Sequence, residues 1–265
     1  MKPPPFDYVA PSSVSDATQA LREHGEDAKV LAGGQSLIPT LNMRLSAPEL
    51  LVDITALPLK DITLEQGVVR IGALATHAQL ERSDVVRKHV PLLAQAVPHV
   101  AHAAIRNRGT IGGSIALADP AAEYPACLVA LEATIFVQGK AGRRQVKARD
   151  FFKGLFTTAL APEELVIAVE IPAIGKDDRS VFLELARRHG DYAIVGLAAH
   201  NDRYVFLGVG EAPVVLPLQK TLEDSKQRLA RELKPTGDLY HSPMAKRHLA
   251  SVLLERAWTT QSRPR

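Results

Sequence analysis

Apolar runs and amphipathic stretches alternate along the first part of the chain. Short apolar runs that stop at glycine or at polar residues are typical of buried strands. Three such runs lie at residues 29–32, 50–54 and 68–73. Residues 15–25 predict a capped helix, and residues 76–104, with apolar positions three and four apart, predict helix interrupted at Pro91 and Pro98. The alternation indicates a mixed α/β first part.

The pattern changes further along, from strands to helices. Strand-like runs follow at residues 128–138, 164–171, 180–187, 193–200 and 203–209. A polar, glycine-containing loop at 175–178 marks a plausible domain boundary. Residues 220–233 and 243–257 then show helical periodicity with mixed charge. We therefore predict an α+β fold with a first domain at 1–174 and, at 175–265, a second domain of antiparallel strands followed by helices.

Composition restricts the class of protein. The 265 residues are 46% apolar and 23% charged, which is ordinary globular usage. No run approaches the ~18 uncharged apolar residues of a membrane span, and Met1–Pro5 lacks the apolar stretch of a secretory signal, so a cytoplasmic protein is expected. With a net charge of +3 and 5% aromatic residues, a nucleic-acid partner is not expected.

Few side chains offer chemistry of their own. Cys127 is the single cysteine, so no internal disulfide and no four-thiolate cluster can form, and it is expected to be a buried inert thiol. Any electron carrier in this chain must therefore be organic, or the carriers must lie on a partner. His99 and His102 lack cysteine or carboxylate neighbours at ligand spacing, so no metal site is predicted. No serine has the elbow of a hydrolase, and no catalytic residue is predicted.

Two glycine-rich segments carry the strongest chemical signal. We call residues 32–37 (AGGQSL) the first glycine loop and residues 106–114 (RNRGTIGGS) the second glycine loop. Paired glycines allow positive φ and close approach, so successive amides can converge on an anion. Three hydroxyl groups would add donors, those of Ser36, Thr110 and Ser114. The pair predicts a dinucleotide or diphosphate cleft, with tight turns as the alternative; Arg106 and Arg108 would add distant charge or be solvated.

These segments resemble the FAD-binding medium subunit of the xanthine-oxidase-type molybdenum hydroxylases, in the form of the carbon monoxide dehydrogenase medium chain. The resemblance is carried by Ala32–Leu37, Ile105–Gly113, Asp119–Glu123, Phe151–Gly154, Glu170–Pro172, Ala186–Ala193 and His248–Ala250. It spans nearly the whole chain, and the second glycine loop is its most specific part. It implies a two-part FAD-binding domain of the vanillyl-alcohol-oxidase/PCMH type at 1–174 and a carbon monoxide dehydrogenase flavoprotein C-terminal domain at 175–265.

The resemblance also implies a set of residues that bind FAD non-covalently. They are Ala32, Gly33, Gly34, Gln35, Ser36, Leu37, Thr110, Gly112, Gly113, Ser114, Glu123, Val166 and Tyr192. By this mapping both loops wrap the diphosphate, mainly with main-chain amides. Glu123 would contact the flavin nucleotide, Val166 would lie beside the flavin, and Tyr192 would lie against the isoalloxazine. An ordinary core position is the alternative for Tyr192.

The family's function follows as an expectation. The chain would be the FAD subunit of a heteromeric complex, with the molybdenum-pterin cofactor on a large partner and 2Fe–2S clusters on a small one, in a dimer of heterotrimers. Electrons would pass to NAD, oxygen, a quinone or a cytochrome. Leu117 stands where many members have His. Leu183 stands where the xanthine oxidase branch has a flavin-proximal Lys, and this second difference weakens the case for NAD. A self-sufficient flavin oxidase or dehydrogenase and a non-redox nucleotide-binding module remain alternatives.

Overall fold

The computed structural model describes residues 2–262, whose strands form four sheets. The strands are β1 (Asp7–Val9), β2 (Ala28–Leu31), β3 (Leu50–Asp53), β4 (Ile62–Glu65), β5 (Val68–Gly72), β6 (Thr134–Gly139), β7 (Gly142–Lys147), β8 (Phe152–Gly154), β9 (Thr157–Thr158), β10 (Leu165–Pro172), β11 (Ser180–Leu185), β12 (Val195–His200), β13 (Arg203–Leu207) and β14 (Val214–Pro217). The α-helices are α1 (Val14–His24), α2 (Leu37–Asn42), α3 (His77–Arg82), α4 (Asp84–His89), α5 (Pro91–Ala96), α6 (Ala103–Arg106), α7 (Ile111–Leu117), α8 (Glu123–Ala130), α9 (Ala148–Phe151), α10 (Leu222–Glu232) and α11 (Pro243–Ser262). Two 3-10 turns lie at Gly25–Asp27 and Val97–His99.

The N-terminal sheet is parallel, with strand order β1-β3-β2. Helix α1 connects β1 to β2 and begins at Ser13, whose side chain accepts a hydrogen bond from the Asp16 amide. It ends at Gly25, where φ is +54° and a side chain would be strained. Ala17 and Leu21 face the sheet and are buried in its core. The predicted helix at 15–25 and the predicted strands at 29–32 and 50–54 are thus confirmed.

The second sheet is antiparallel, with strand order β4-β5-β10-β6-β7. Strand β10 lies at its centre, which explains why nearly all of its residues are buried and why its sequence does not alternate. Helices α4, α5 and α8 contribute the other side of the largest core, around Val86, Leu92 and Leu128. This sheet and the N-terminal sheet together carry the two glycine loops.

The C-terminal sheet is antiparallel, β11-β12-β13-β14, and is buried on both faces. Alternate residues such as Phe182 and Val205 join the core formed by the earlier helices. Their neighbours, such as Val181 and Phe206, pack against α10 and α11. This period of two is the expected pattern for a sheet between two layers. The predicted α+β class and the predicted order of strands followed by helices are thus confirmed, whereas the domain boundary after residue 174 stays a prediction.

The predicted strand at 128–138 is wrong in its first residues, and some strands were not predicted at all. Residues 128–130 belong to helix α8, and the strand that follows begins only at Thr134. Every residue of α8 is buried, so its apolar run has no periodicity to separate helix from strand. Strand β7 was not predicted because it is a charged, exposed edge strand, and β14 was not predicted because it is short.

The segment at 76–104 is helical but divided. Pro91 occupies the first turn of α5, and Pro98 lies in a 3-10 turn, so both prolines begin new elements.

The second glycine loop is not wholly a loop. Gly112 and Gly113 lie in the first turn of α7, for which Thr110 is the N-cap. No helix among residues 2–262 combines the length and the apolar character that crossing a membrane requires.

Candidate cofactor-binding cavity

A cavity of about 1070 Å³ is lined by residues from both parts of the chain. Small-molecule sites commonly enclose ~300–1,000 Å³, so this cavity has room for a large ligand such as a dinucleotide. All thirteen residues that the sequence singles out line it. They are Ala32, Gly33, Gly34, Gln35, Ser36, Leu37, Thr110, Gly112, Gly113, Ser114, Glu123, Val166 and Tyr192. The fold therefore brings the set together, while their contact with a cofactor stays a prediction.

The first glycine loop presents backbone amides that have no partner in the protein. Within residues 2–262, the amides of Gly33 through Ser36 donate to no carbonyl and no side chain. Gly34 has φ +72°, and the Gln35 side chain donates to the Gly33 carbonyl at 2.9 Å, which fixes the turn. Unpaired amides of this kind bind phosphate oxygens well. The loop therefore offers the donors that the sequence analysis expected of it.

The second glycine loop has a different construction. The Gly112 amide donates to the Ala73 carbonyl at 2.8 Å, the Ser114 amide to the Thr110 carbonyl at 3.1 Å, and the Gly113 amide to Thr110 Oγ1 at 3.1 Å. These three amides are already bonded within the protein, whereas the Thr110 amide has no acceptor among residues 2–262, so the expectation that the second glycine loop binds an anion stays a prediction. The hydroxyl groups of Thr110 and Ser114, together with the Thr110 amide, are donors that remain available on this side of the cavity.

Glycine is nevertheless required in both loops for close packing. A Cβ at Gly33 would lie 2.3 Å from the Arg108 carbonyl oxygen, so the two glycine loops touch backbone to backbone. A Cβ at Gly112 would lie 2.6 Å from both the carbonyl oxygen and the Cβ of Ala73. Real Cβ atoms do not approach backbone so closely, and neither neighbour can rotate away. The first glycine loop forms one wall of the cavity, and the second glycine loop forms the other, which we call the second wall. Both walls depend on these glycines.

Carboxyl groups gather beneath the second wall. Glu123 is 7% exposed, and its carboxyl accepts a hydrogen bond from no other residue of the described chain. Burial, with a smaller contribution from the Asp119 charge, raises the pKa of Glu123 to about 7. Burial and then the charge of Glu123 raise the pKa of Glu184 to about 8. These carboxyls therefore take up protons near neutrality, which lessens their repulsion of an anionic ligand.

The mouth of the cavity is aromatic. Tyr192 is 71% exposed there, which excludes the alternative of an ordinary core tyrosine. Arg187 lies 5.4 Å from the ring centre of Tyr240, on a loop that Lys246 holds through its 3.0 Å ion pair with Asp238. This C-terminal loop reaches the cavity from far along the chain, and no local pattern predicted it.

Of the two departures from the family pattern, Leu117 lines the cavity, whereas Leu183 packs against the C-terminal core.

Arg106 is neither a distant charge nor a solvated side chain. Its guanidinium donates to Glu81 at 3.0 Å and to the carbonyls of Val100 and Ala101 at 3.2 and 2.9 Å. Val100 and Ala101 line the cavity, so Arg106 fixes a stretch of its wall.

Cys127 is fully buried, and burial raises the pKa of its thiol well above the usual range, so the expectation of an inert thiol is confirmed.

Unpaired amides, hydroxyl donors and a cavity of this size are suited to an anionic nucleotide cofactor. A family model described as the FAD binding domain in molybdopterin dehydrogenase matches residues 4–174. The chain belongs to this family. Its cofactor is therefore FAD, its class is oxidoreductase, and both the predicted family and the predicted cofactor are confirmed.

Individual relatives agree with the family. The 6-hydroxypseudooxynicotine dehydrogenase complex subunit alpha of Paenarthrobacter nicotinovorans is 46% identical over 200 residues, which cover 75% of this chain and 68% of the relative. The glyceraldehyde dehydrogenase medium chain of Sulfolobus acidocaldarius is 34% identical, over 97% of this chain and 99% of the relative. A solved structure of carbon monoxide dehydrogenase from Hydrogenophaga pseudoflava superposes with a TM-score of 0.93 at 33% identity, with 98% of each chain covered.

Proposed function

We propose that this chain is the FAD-carrying subunit of a heteromeric molybdenum hydroxylase and passes electrons from a 2Fe–2S partner subunit to an external acceptor. The observation that carries the proposal is the single cavity that gathers all thirteen predicted residues. The relatives support it by name, since one is a subunit of a dehydrogenase complex and another a medium chain. The molybdenum-pterin cofactor and the clusters would lie on a large and a small partner, in a dimer of heterotrimers.

The residues of this chain would bind and shape the cofactor rather than attack a substrate. When bound, FAD accepts two electrons and releases them one or two at a time. The first glycine loop would hold the diphosphate through its unpaired amides without a buried lysine or arginine, whose desolvation is costly. Val166 would contact the flavin, and Tyr192, at the cavity mouth, would control access to it.

The substrate would be chosen by the molybdenum subunit and not by this chain. The relatives are named for 6-hydroxypseudooxynicotine, for glyceraldehyde and for carbon monoxide, although the matched chains all resemble this one in sequence or fold. A conserved flavin subunit that serves unlike substrates fits a division of labour in which this cavity handles electrons only. The mixed acidic and apolar lining of the cavity does not indicate one particular acceptor.

Purification from the source organism tests the proposal. We expect a tag on this chain to recover a large molybdenum-containing subunit and a small iron-containing one, identified by mass spectrometry and metal analysis. The isolated chain should show bound oxidised flavin, with absorbance near ~370 and ~450 nm. Its flavin should be reduced by the substrate of the complex only when both partners are present. A chain that oxidises an organic substrate alone would show the self-sufficient flavoenzyme instead.

A further inference from the structure

His77 is a buried side chain of the cavity wall that the sequence analysis did not assign. It occupies the first residue of α3, and its amide donates to the Gly109 carbonyl at 2.9 Å, which ties it to the second glycine loop. The residue is 5% exposed and lines the cavity. A polar ring in such a position needs hydrogen-bond partners for both nitrogens.

The partner of one nitrogen is Tyr124. The Tyr124 hydroxyl lies 2.9 Å from His77 Nδ1 and has no other hydrogen-bond partner in the described chain. Tyr124 is fully buried, so an arrangement that left its hydroxyl hydrogen unbonded would be costly. The hydroxyl therefore donates to Nδ1, and the ring carries its hydrogen on Nε2.

The other nitrogen lies beside the two glycine loops. A Cβ on Gly109 would be 2.6 Å from His77 Nε2, and a Cβ on Gly33 would be 2.7 Å from the Gly109 Cα. The absence of a side chain at Gly109 leaves space beside Nε2. Within residues 2–262 this nitrogen has no hydrogen-bond partner. It is thus an N–H donor next to the first glycine loop, on the side where the amides of Gly112, Gly113 and Ser114 are already bonded.

The ring is neutral in ordinary buffers. Burial, followed by the positive charge of Arg106, lowers the pKa of His77 to about 4. The other titratable groups around it include Tyr124, whose pKa burial raises well above its usual range, and Glu81, which pairs with Arg106. Glu123, whose pKa is about 7, lines the same cavity and acts electrostatically on Tyr124, but it is a much weaker acid than protonated His77. None of them supplies His77 with a proton near neutrality, so its Nε2–H keeps the same form from mildly acidic to mildly basic pH.

We propose that His77 donates a hydrogen bond from Nε2 to a phosphate oxygen of the bound dinucleotide, with Tyr124 as its positioning residue. The inference rests on the proposed FAD function. It gives the second wall of the cavity a nitrogen donor in place of the amides that helix α7 uses. Hydrogen bonds to charged acceptors are stronger than neutral ones, so the loss of this donor should be measurable in the affinity for FAD.

Two substitutions separate the two nitrogens of His77. His77→Gln places an amide N–H near the position of Nε2, whereas His77→Asn places its polar group near Nδ1 and leaves the cavity-facing position empty. We expect His77→Asn to weaken FAD binding by the full-length apoprotein about tenfold or more, and His77→Gln by no more than about threefold. FAD titration followed by flavin fluorescence measures both, and thermal unfolding checks that each variant folds. Should either variant unfold, the same pair is compared in a Tyr124→Phe background, where no hydroxyl is left unbonded.

ADP identifies the ligand group, because it carries the diphosphate without the flavin. We expect the Asn variant to lose affinity for ADP and for FAD by the same factor, and this factor to be equal at pH 5.5 and pH 8. A loss for FAD alone, a factor that grows at pH 5.5, or equal binding by the Asn and Gln variants would each overturn the assignment. Wild-type protein that does not bind FAD at all would instead refute the proposed function, and this inference with it.

Discussion

The two glycine loops look alike in sequence but perform different structural tasks. In the first, four successive amides have no acceptor among residues 2–262, and Gly34 has a positive φ. In the second, Thr110 caps a helix, and the amides of Gly112 and Gly113 are bonded within the protein. The first loop presents donors, whereas the second is packed against Ala73.

This difference shows that a pair of glycines in a sequence has no single meaning. Glycine can serve a backbone conformation, and it can equally serve close packing of one segment on another. Gly34 is an example of the first, and Gly112, which has no positive φ, is an example of the second. Substitutions in the first loop should therefore act mainly on cofactor binding, and substitutions in the second mainly on stability.

The largest effect on cofactor binding is expected for Gly33→Ala. The new Cβ would lie 2.3 Å from the Arg108 carbonyl oxygen, so the two loops must separate and the unpaired amides must move with them. The loss of two hydrogen bonds to a charged group corresponds to about 3 kcal/mol or more, about a hundredfold in the Kd for FAD. Isothermal titration of apoprotein with FAD measures it.

Gly154→Ala is the matched control for this change. A Cβ there has its nearest neighbour at 3.7 Å, which is ordinary contact, and Gly154 does not line the cavity. Its Kd for FAD should equal that of wild type. If Gly33→Ala bound FAD as well as this control, the first loop would not hold the cofactor through its amides.

Gly112→Ala should lower the stability of the protein more than its affinity for FAD. A Cβ there would meet the backbone of Ala73 at 2.6 Å inside the core, and overpacking of this kind costs about 1–3 kcal/mol. Gly113→Ala is the partner variant, because Gly113 is exposed and its Cβ would meet only the Thr110 hydroxyl. We expect urea unfolding to show a clear loss for Gly112→Ala and a loss below about 1 kcal/mol for Gly113→Ala, which gains helix propensity. Equal losses would contradict the packing role of the second loop.

The same contrast explains what could be predicted from the sequence. Local patterns were sufficient for the strand before the first glycine loop and for the helix capped at Ser13, because their signals are short-range. They failed for α8, whose uniform burial removes periodicity. They also gave no sign that the Gly112 amide is bonded within the protein, because its acceptor at Ala73 lies about forty residues away in the chain.

The residues of the candidate site also fall into those that the sequence could predict and those that it could not. Its thirteen residues were found through resemblance to a family, and the structure places all of them in one cavity. His77 and the loop around Tyr240 were missed for a physical reason. A lone histidine on a helix has no chemical signature until Tyr124 and Gly109 are brought beside it by the fold, and Tyr240 reaches the cavity from beyond α10.

A smaller effect is expected from Thr110→Val. The change removes the side-chain oxygen that accepts the Gly113 amide, and loss of an N-cap costs about 1 kcal/mol of stability. It also removes one of the hydroxyl donors left on the second wall, so the Kd for FAD should rise by about tenfold or less. Thr110→Ser keeps both functions and should match wild type in urea unfolding and FAD titration. A Val variant indistinguishable from Ser would show that α7 does not depend on this cap.

The smallest expected effect is a pH dependence of the Kd for FAD, which comes from Glu123 beneath the second wall. Its pKa is raised to about 7, so the carboxyl is mostly neutral at pH 6 and mostly ionised at pH 8. The diphosphate in the same cavity is negatively charged throughout this range, so ionisation of Glu123 disfavours binding and the Kd for FAD rises with pH. One charge interaction of ~0.6 kcal/mol corresponds to about threefold. Glu123→Gln should reduce this slope and leave only the weaker contribution of Glu184, because the unpaired amides of the first loop do not titrate. An undiminished slope in the Gln variant would place the main titrating group elsewhere in the cavity, and a slope of opposite sign would mean that ionised Glu123 favours the bound cofactor.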